Sequence, residues 1–246
     1  MIQVENVTKS YSKSKTKAVD NLTLKTTDGE IFGFIGPNGA GKTTTIKMLV
    51  GILKPDSGKI VIDGMDFAKS AIRLKSIIGY VPDSHDIYDR LTGIEYLNFI
   101  ADIYSVPEHV RKTNIEKYLA MFRLEKAAGE VIRSYSHGMK QKIILAATLV
   151  HEPKLWILDE PMTGLDPKSA LLLKEEMKAH CKKGNTVFFS THVLEVAEHL
   201  CDRIGIIDNG SLVASGTLSE LRTKAESETS LESVFFKLTE SAEGGA

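Results

Sequence analysis

Residues 36–44 read G-P-N-G-A-G-K-T-T, directly after the apolar run I-F-G-F-I at 31–35 and at the mouth of a helix-like stretch over 42–50. No other feature constrains the chain as tightly. A short apolar run ended by glycine reads as a strand buried on both faces. Glycines let backbone N–H groups close around a ligand with little side-chain interference. A helix that opens at that point aims its unpaired N–H groups and the positive end of its dipole at the same ligand. The spacing matches G-x-x-x-x-G-K-[ST], a phosphate cradle, in the strand-then-helix context the pattern requires. Nucleotide binding by Gly36, Pro37, Asn38, Gly39, Ala40, Gly41, Lys42, Thr43 and Thr44 is the expectation. Lys42 would reach the β- and γ-phosphates, and Thr43 would offer its hydroxyl to Mg²⁺. A plain glycine-rich turn would account for the glycines, but not for the lysine and two threonines that follow them.

A second apolar strand ends in two acids: K-L-W-I-L-D-E, residues 154–160. Nucleotides on open parallel sheets bind beyond the carboxyl ends of strands. Asp159 could hold Mg²⁺ there, and Glu160 could orient or deprotonate the attacking water. Two solvated acids after a buried strand are the plainer reading of that stretch alone. T-V-F-F-S-T-H places His192 at the end of another buried strand, within range of a γ-phosphate, although a lone histidine is often structural. S-Y-S-H-G-M-K-Q-K at 134–142 has no acid–base pair, metal-ligand spacing or activated nucleophile, yet a serine and a glycine precede a helical run from Lys140 to Val150. Such a helix start favours an anion in front of it.

Composition narrows the partners. Lys plus Arg is 31 and Asp plus Glu is 32 in 246 residues, a net charge of −1, so electrostatics gives no reason to expect nucleic acid. Cys181 and Cys201 stand far apart, without metal or redox spacing, as in a reducing compartment. No signal-peptide core is visible at the start, and no apolar run approaches the roughly 18 residues of a membrane span. Work at a membrane would therefore need spans on another chain. Strand signals recur at 2–7, 21–26, 59–64, 77–82 and 203–208, and D-N-G at 208–210 is a hairpin signal. Between Thr92 and about Val150 helical periodicity replaces them. The reading is one α/β domain over 1–246, with an N-terminal β portion, a helical subdomain inserted at about 85–150 and a helical tail at about 217–246 whose polar end frays. S-K-S-K-T-K at 12–17 reads as a solvated basic loop.

The order of these motifs resembles the ATP-binding subunit of ABC transporters, over essentially the whole chain. The run is Gly36–Thr44, Ser136–Met139, Asp159-Glu160, T-G-L-D at 163–166, then His192. The resemblance implies a mainly parallel P-loop core and ATP hydrolysis with Mg²⁺. It also implies two ATP-binding subunits facing each other head to tail. Tyr135-Ser136-His137-Gly138-Met139 then corresponds to the L-S-G-G-Q signature, so Ser136 and Gly138 would cover the ATP of the other subunit. Asp166 would link the two sites, and Tyr11 would stack on adenine, unless it is a core tyrosine. Two departures stand out. Tyr, His and Met replace Leu, Gly and Gln in the signature, and Asp83 stands where the family has a glutamine near the metal. Details of the signature and tail are similar to a bacterial subgroup that mostly serves exporters with a separate polytopic membrane chain. Its ATP-binding subunit would sit on the cytoplasmic side of the membrane. A soluble ATPase of the same family, for example in cluster assembly, is the alternative, and a non-hydrolysing regulatory module is a third reading.

Overall fold

The computed structural model describes residues 1–11, 16–84, 87–226 and 230–243. Most of the basic segment at 12–17 and the polar end at 244–246 lie outside the described residues. In chain order the elements begin with β1 (Ile2–Ser10), β2 (Lys17–Lys25), β3 (Ile31–Ile35), α1 (Lys42–Leu49), β4 (Ser57–Ile62), β5 (Met65–Asp66), α2 (Phe67–Ile77) and β6 (Ile78–Val81). Three helices follow: α3 (Gly93–Ile103), α4 (Glu108–Phe122) and α5 (His137–Leu149). The chain then alternates through β7 (Leu155–Asp159), α6 (Pro167–Lys182), β8 (Thr186–Thr191), α7 (Leu194–Leu200) and β9 (Arg203–Asp208). It closes with β10 (Ser211–Gly216), α8 (Leu218–Lys224) and α9 (Leu231–Glu243).

Two sheets form. One is antiparallel in the order β2-β1-β4-β5, and the other runs β10-β9-β3-β8-β7-β6. In the second sheet every neighbouring pair is parallel except β9 with β10. The carboxyl ends of β3, β6, β7 and β8 therefore share one edge, where crevices for ligands form on sheets of this kind. The apolar runs are continuous because β3, β7 and β8 are buried on both faces. Alternate residues divide the two sides. Trp156 and Leu158 pack toward α3, α4 and α5, whereas Leu155 and Ile157 join Phe32, Phe34 and Phe188 beneath the antiparallel sheet. A third cluster holds Leu221, Leu231 and Val234 of the C-terminal helices against Ile204 and Ile206 of β9.

Local chemistry sets the boundaries. Asn209 (φ 45°) and Gly210 (φ 80°) make the turn between β9 and β10, both in the left-handed region that a two-residue hairpin of this type needs. Thr92 and Glu95 form a reciprocal cap that starts α3. Helix α5 begins at His137, three residues before the expected run from Lys140. The Ser136 side chain caps it by accepting from the Met139 N–H, and Gly138 hides the first turn from a periodicity search because it contributes no apolar side chain. Among the described residues no helix is long and apolar enough to cross a membrane.

Candidate nucleotide site

The loop after β3 is held open by its glycines. A Cβ on Gly36 would lie 2.2 Å from the Ile207 carbonyl oxygen, so no other residue fits there without moving β9. Gly41, at φ 106°, precedes α1, and a Cβ on it would lie 2.5 Å from the Ala18 carbonyl oxygen. No side chain caps α1, which leaves its first N–H groups for a ligand. Lys42 is buried. Its Nζ donates to the Gly36 carbonyl at 2.7 Å and the Pro37 carbonyl at 3.1 Å, and lies 3.7 Å from Glu160 Oε1. The ammonium thus folds back on its own loop, with partners that phosphate oxygens can replace.

The opposite wall comes from β7 and β8. Their register sets Asp159 beside Ser190, and Ser190 Oγ donates to Asp159 Oδ1 at 2.5 Å. Asp159 is fully buried, and burial raises its carboxyl pKa. The Ser190 and Thr43 hydroxyls oppose that rise, and the charges of Asp83 and Glu160 add to it. Asp159 Oδ2 has no hydrogen-bond partner. A buried carboxylate oxygen left bare beside a threonine hydroxyl suits a cation there. Among the described residues no cluster of three His, Cys, Asp or Glu could hold a metal unaided. Mg²⁺ needs no such cluster, since it takes one or two protein ligands and completes its shell with phosphate and water.

Glu160 sits in a sparsely populated backbone region, with φ at 49°. Its N–H donates to Ser190 Oγ at 3.1 Å, which holds the turn. Its carboxylate meets Lys42 through Oε1 and His192 Nδ1 through Oε2 at 3.0 Å. These groups enclose a cleft of about 480 Å³ lined by Asn38, Gly39, Gly41, Lys42, Thr43, Thr44, Asp83, Glu160 and His192. Ala18 and Thr163 also line it; motif reading does not point to Ala18, and it names Thr163 only as the first residue of T-G-L-D. Tyr11 stands beside the cleft, its ring half exposed and its hydroxyl 3.2 Å from Thr44 Oγ1.

The remaining predicted residues lie elsewhere. Ser136 and Gly138 do not line this cleft; they open α5, with Ser136 exposed. Asp166 caps α6 and accepts from Lys142 Nζ at 2.7 Å, which holds its carboxyl below the usual carboxylate range. The arrangement can bind a nucleoside triphosphate in the cleft and orient a water with Glu160, while a second anion-favouring surface faces outward.

Comparison with known proteins agrees with this chemistry. The ABC transporter family matches residues 19–163. The linearmycin resistance ATP-binding protein LnrL of Bacillus subtilis is 38% identical over 94% of this chain and 74% of its own length. A solved ATP-binding subunit of an ABC transporter superposes with a TM-score of 0.92 at 33% identity, over 97% of this chain and 99% of that one. An ATP-binding cassette solved as a dimer, in a post-hydrolysis state with ADP and Pi, gives 0.80 at 25% identity, over 89% and 99%. The chain belongs to the ABC transporter family, as an ATP-binding subunit that hydrolyses ATP.

Proposed function

We propose that two copies of this chain, or this chain and a homologue, close around two molecules of Mg²⁺–ATP and drive export through a separate polytopic membrane protein. The observation that carries this reading is the division of the site. The cleft gathers Lys42, Thr43, Asp83, Glu160 and His192, while Ser136 and Gly138, at the N-terminus of α5, are not among its lining residues. Head-to-tail pairing joins the two halves. The dimeric ATP-binding cassette among the similar structures supports the pairing. The relative named for resistance to linearmycin supports the outward direction.

In this reading Gly36 to Thr44 wrap the phosphates and Tyr11 stacks on the base. Lys42 leaves the Gly36 and Pro37 carbonyls for the β- and γ-phosphates. Thr43 and Asp159 would hold Mg²⁺, with Asp83 at its water shell; when bound, the ion neutralises charge on the phosphates. Glu160, steadied by His192, orients the attacking water and takes its proton. His192 then turns toward the γ-phosphate. Asp166 carries the state of one site to the other. The segment after β6 transmits the movement to the membrane chain. Tyr88 and Phe99 stand there edge to face, 5.1 Å apart, and both are exposed, as is Ile103. Exposed apolar side chains of this kind suit a partner's short helix. The chain would then sit at the inner face of the cell membrane, held by its partner.

Pull-down of tagged protein from gently solubilised cells tests the partner. A polytopic membrane protein in the eluate is the expected result. Recovery of only soluble machinery, with clean controls, would replace export with a soluble role for the same ATPase.

A further inference from the structure

The segment from Glu160 to α6 lies against the first turns of α5. At its start Gln141, 1% exposed, donates from Nε2 to the Pro161 carbonyl at 3.0 Å. In its middle Gly164, at φ 78°, passes beneath the imidazole of His137. A Cβ on Gly164 would come within 2.5 Å of His137 Cδ2 and 2.9 Å of Nε2. The Gly164 carbonyl oxygen also lies where a Cβ on Gly138 would reach it at 2.9 Å. At the end of the segment Lys142 meets Asp166. Thr163, one residue before Gly164, lines the nucleotide cleft.

His137 stands where the signature pattern has glycine, so this chain brings a ring to a place where the pattern has no side chain. A glycine in the left-handed region is free to move unless something packs on it. The ring supplies that packing through van der Waals contact with Gly164.

We propose that His137 is a positioning residue that couples the two ATP sites. Its ring holds Gly164, and through Gly164 it fixes the turn that carries Thr163 into the chain's own cleft. Gln141 anchors the same turn next to Glu160, whose backbone is already strained. When the facing chain's nucleotide pulls on Ser136, α5 moves and the ring passes the displacement to the cleft. The inference rests on the two-copy reading above.

The test is ATP-dependent phosphate release by the purified chain, with Glu160→Gln as a dimerisation control. His137→Gly is expected to lower kcat about fivefold. Its Hill coefficient should fall to near 1, from a wild-type value between 1 and the limit of 2 set by two sites. Its low-concentration affinity for ATP should stay as in the parent, and its melting temperature should fall only slightly, since ring packing is lost and a glycine enters the first turn of α5. His137→Phe, which keeps a flat ring, should restore both rate and cooperativity. A Gly variant as fast and as cooperative as the parent overturns the proposal. So does a Phe variant as impaired as the Gly variant, since the ring nitrogens rather than the packing would then matter. If Glu160→Gln does not dimerise with ATP and the parent shows no cooperativity, the two-copy reading itself fails. If that control dimerises and the His137 variants still match the parent, only the role of His137 fails.

Discussion

Helices α1 and α5 both start at a small-residue turn and both offer an anion-favouring end, yet their surroundings differ completely. The first lacks a side-chain cap and opens a cleft whose lining, the buried Lys42 included, comes from the same chain. The second is capped by Ser136, and that serine and its neighbour His137 are exposed. In the proposed pairing, the cleft and the exposed helix start on a single chain are halves of two different sites, with binding assigned to the first half and hydrolysis to both together.

Substitutions can break that division. Glu160→Gln should cut turnover by at least about 100-fold, the loss of a positioned base, while ATP binding persists. Phosphate release and equilibrium binding measure the two effects, and turnover at the parent rate would remove Glu160 from the chemistry. Ser136→Arg should reduce turnover nearly as far, since it fills the surface that the proposed pairing gives to the other chain. Its ATP affinity as a dilute single chain should not change; a weaker affinity would mean that α5 serves its own cleft.

The glycines sharpen the contrast through stability. Gly36→Ala forces a Cβ to 2.2 Å from the Ile207 carbonyl, whereas Gly138→Ala meets the Gly164 carbonyl at 2.9 Å. Chemical denaturation should show a loss of about 3 kcal/mol or more for the first and about 1 kcal/mol for the second. Equal losses would contradict the closer confinement of the loop before α1. Asp83→Ala should affect turnover less than Glu160→Gln or Ser136→Arg, lowering Mg²⁺-dependent hydrolysis about tenfold with ATP binding little changed, the pattern of an interaction made mainly in the transition state. Unchanged hydrolysis would place Asp83 outside the reaction.

The same contrast explains which parts could be read from sequence. Strands β3, β7, β8 and β9 stand out as apolar runs because the sheet is covered on both faces. The cleft's main groups follow strand ends within one or two residues, so short motifs reveal them. Helix α2 escapes a sequence reading because its apolar stripe is weak: Leu74 is its only fully buried residue, Phe67 and Ile77 are partly buried beside it, Ile72 is 89% exposed, and the helix kinks at Ser70. Ala18 and Ser190 reach the site through chain packing and strand register, which no local pattern encodes. The role of Ser136 could be read only by resemblance, because the group it would contact belongs to another chain.

The most direct test of this half-site account is the mass of Glu160→Gln in solution, measured by light scattering with and without Mg²⁺–ATP. The account predicts a dimer with nucleotide and a monomer without it. It also predicts a monomer under both conditions once Ser136→Arg is added. A saturated monomer in the single variant, or an ATP-bound dimer that survives the second substitution, would contradict it.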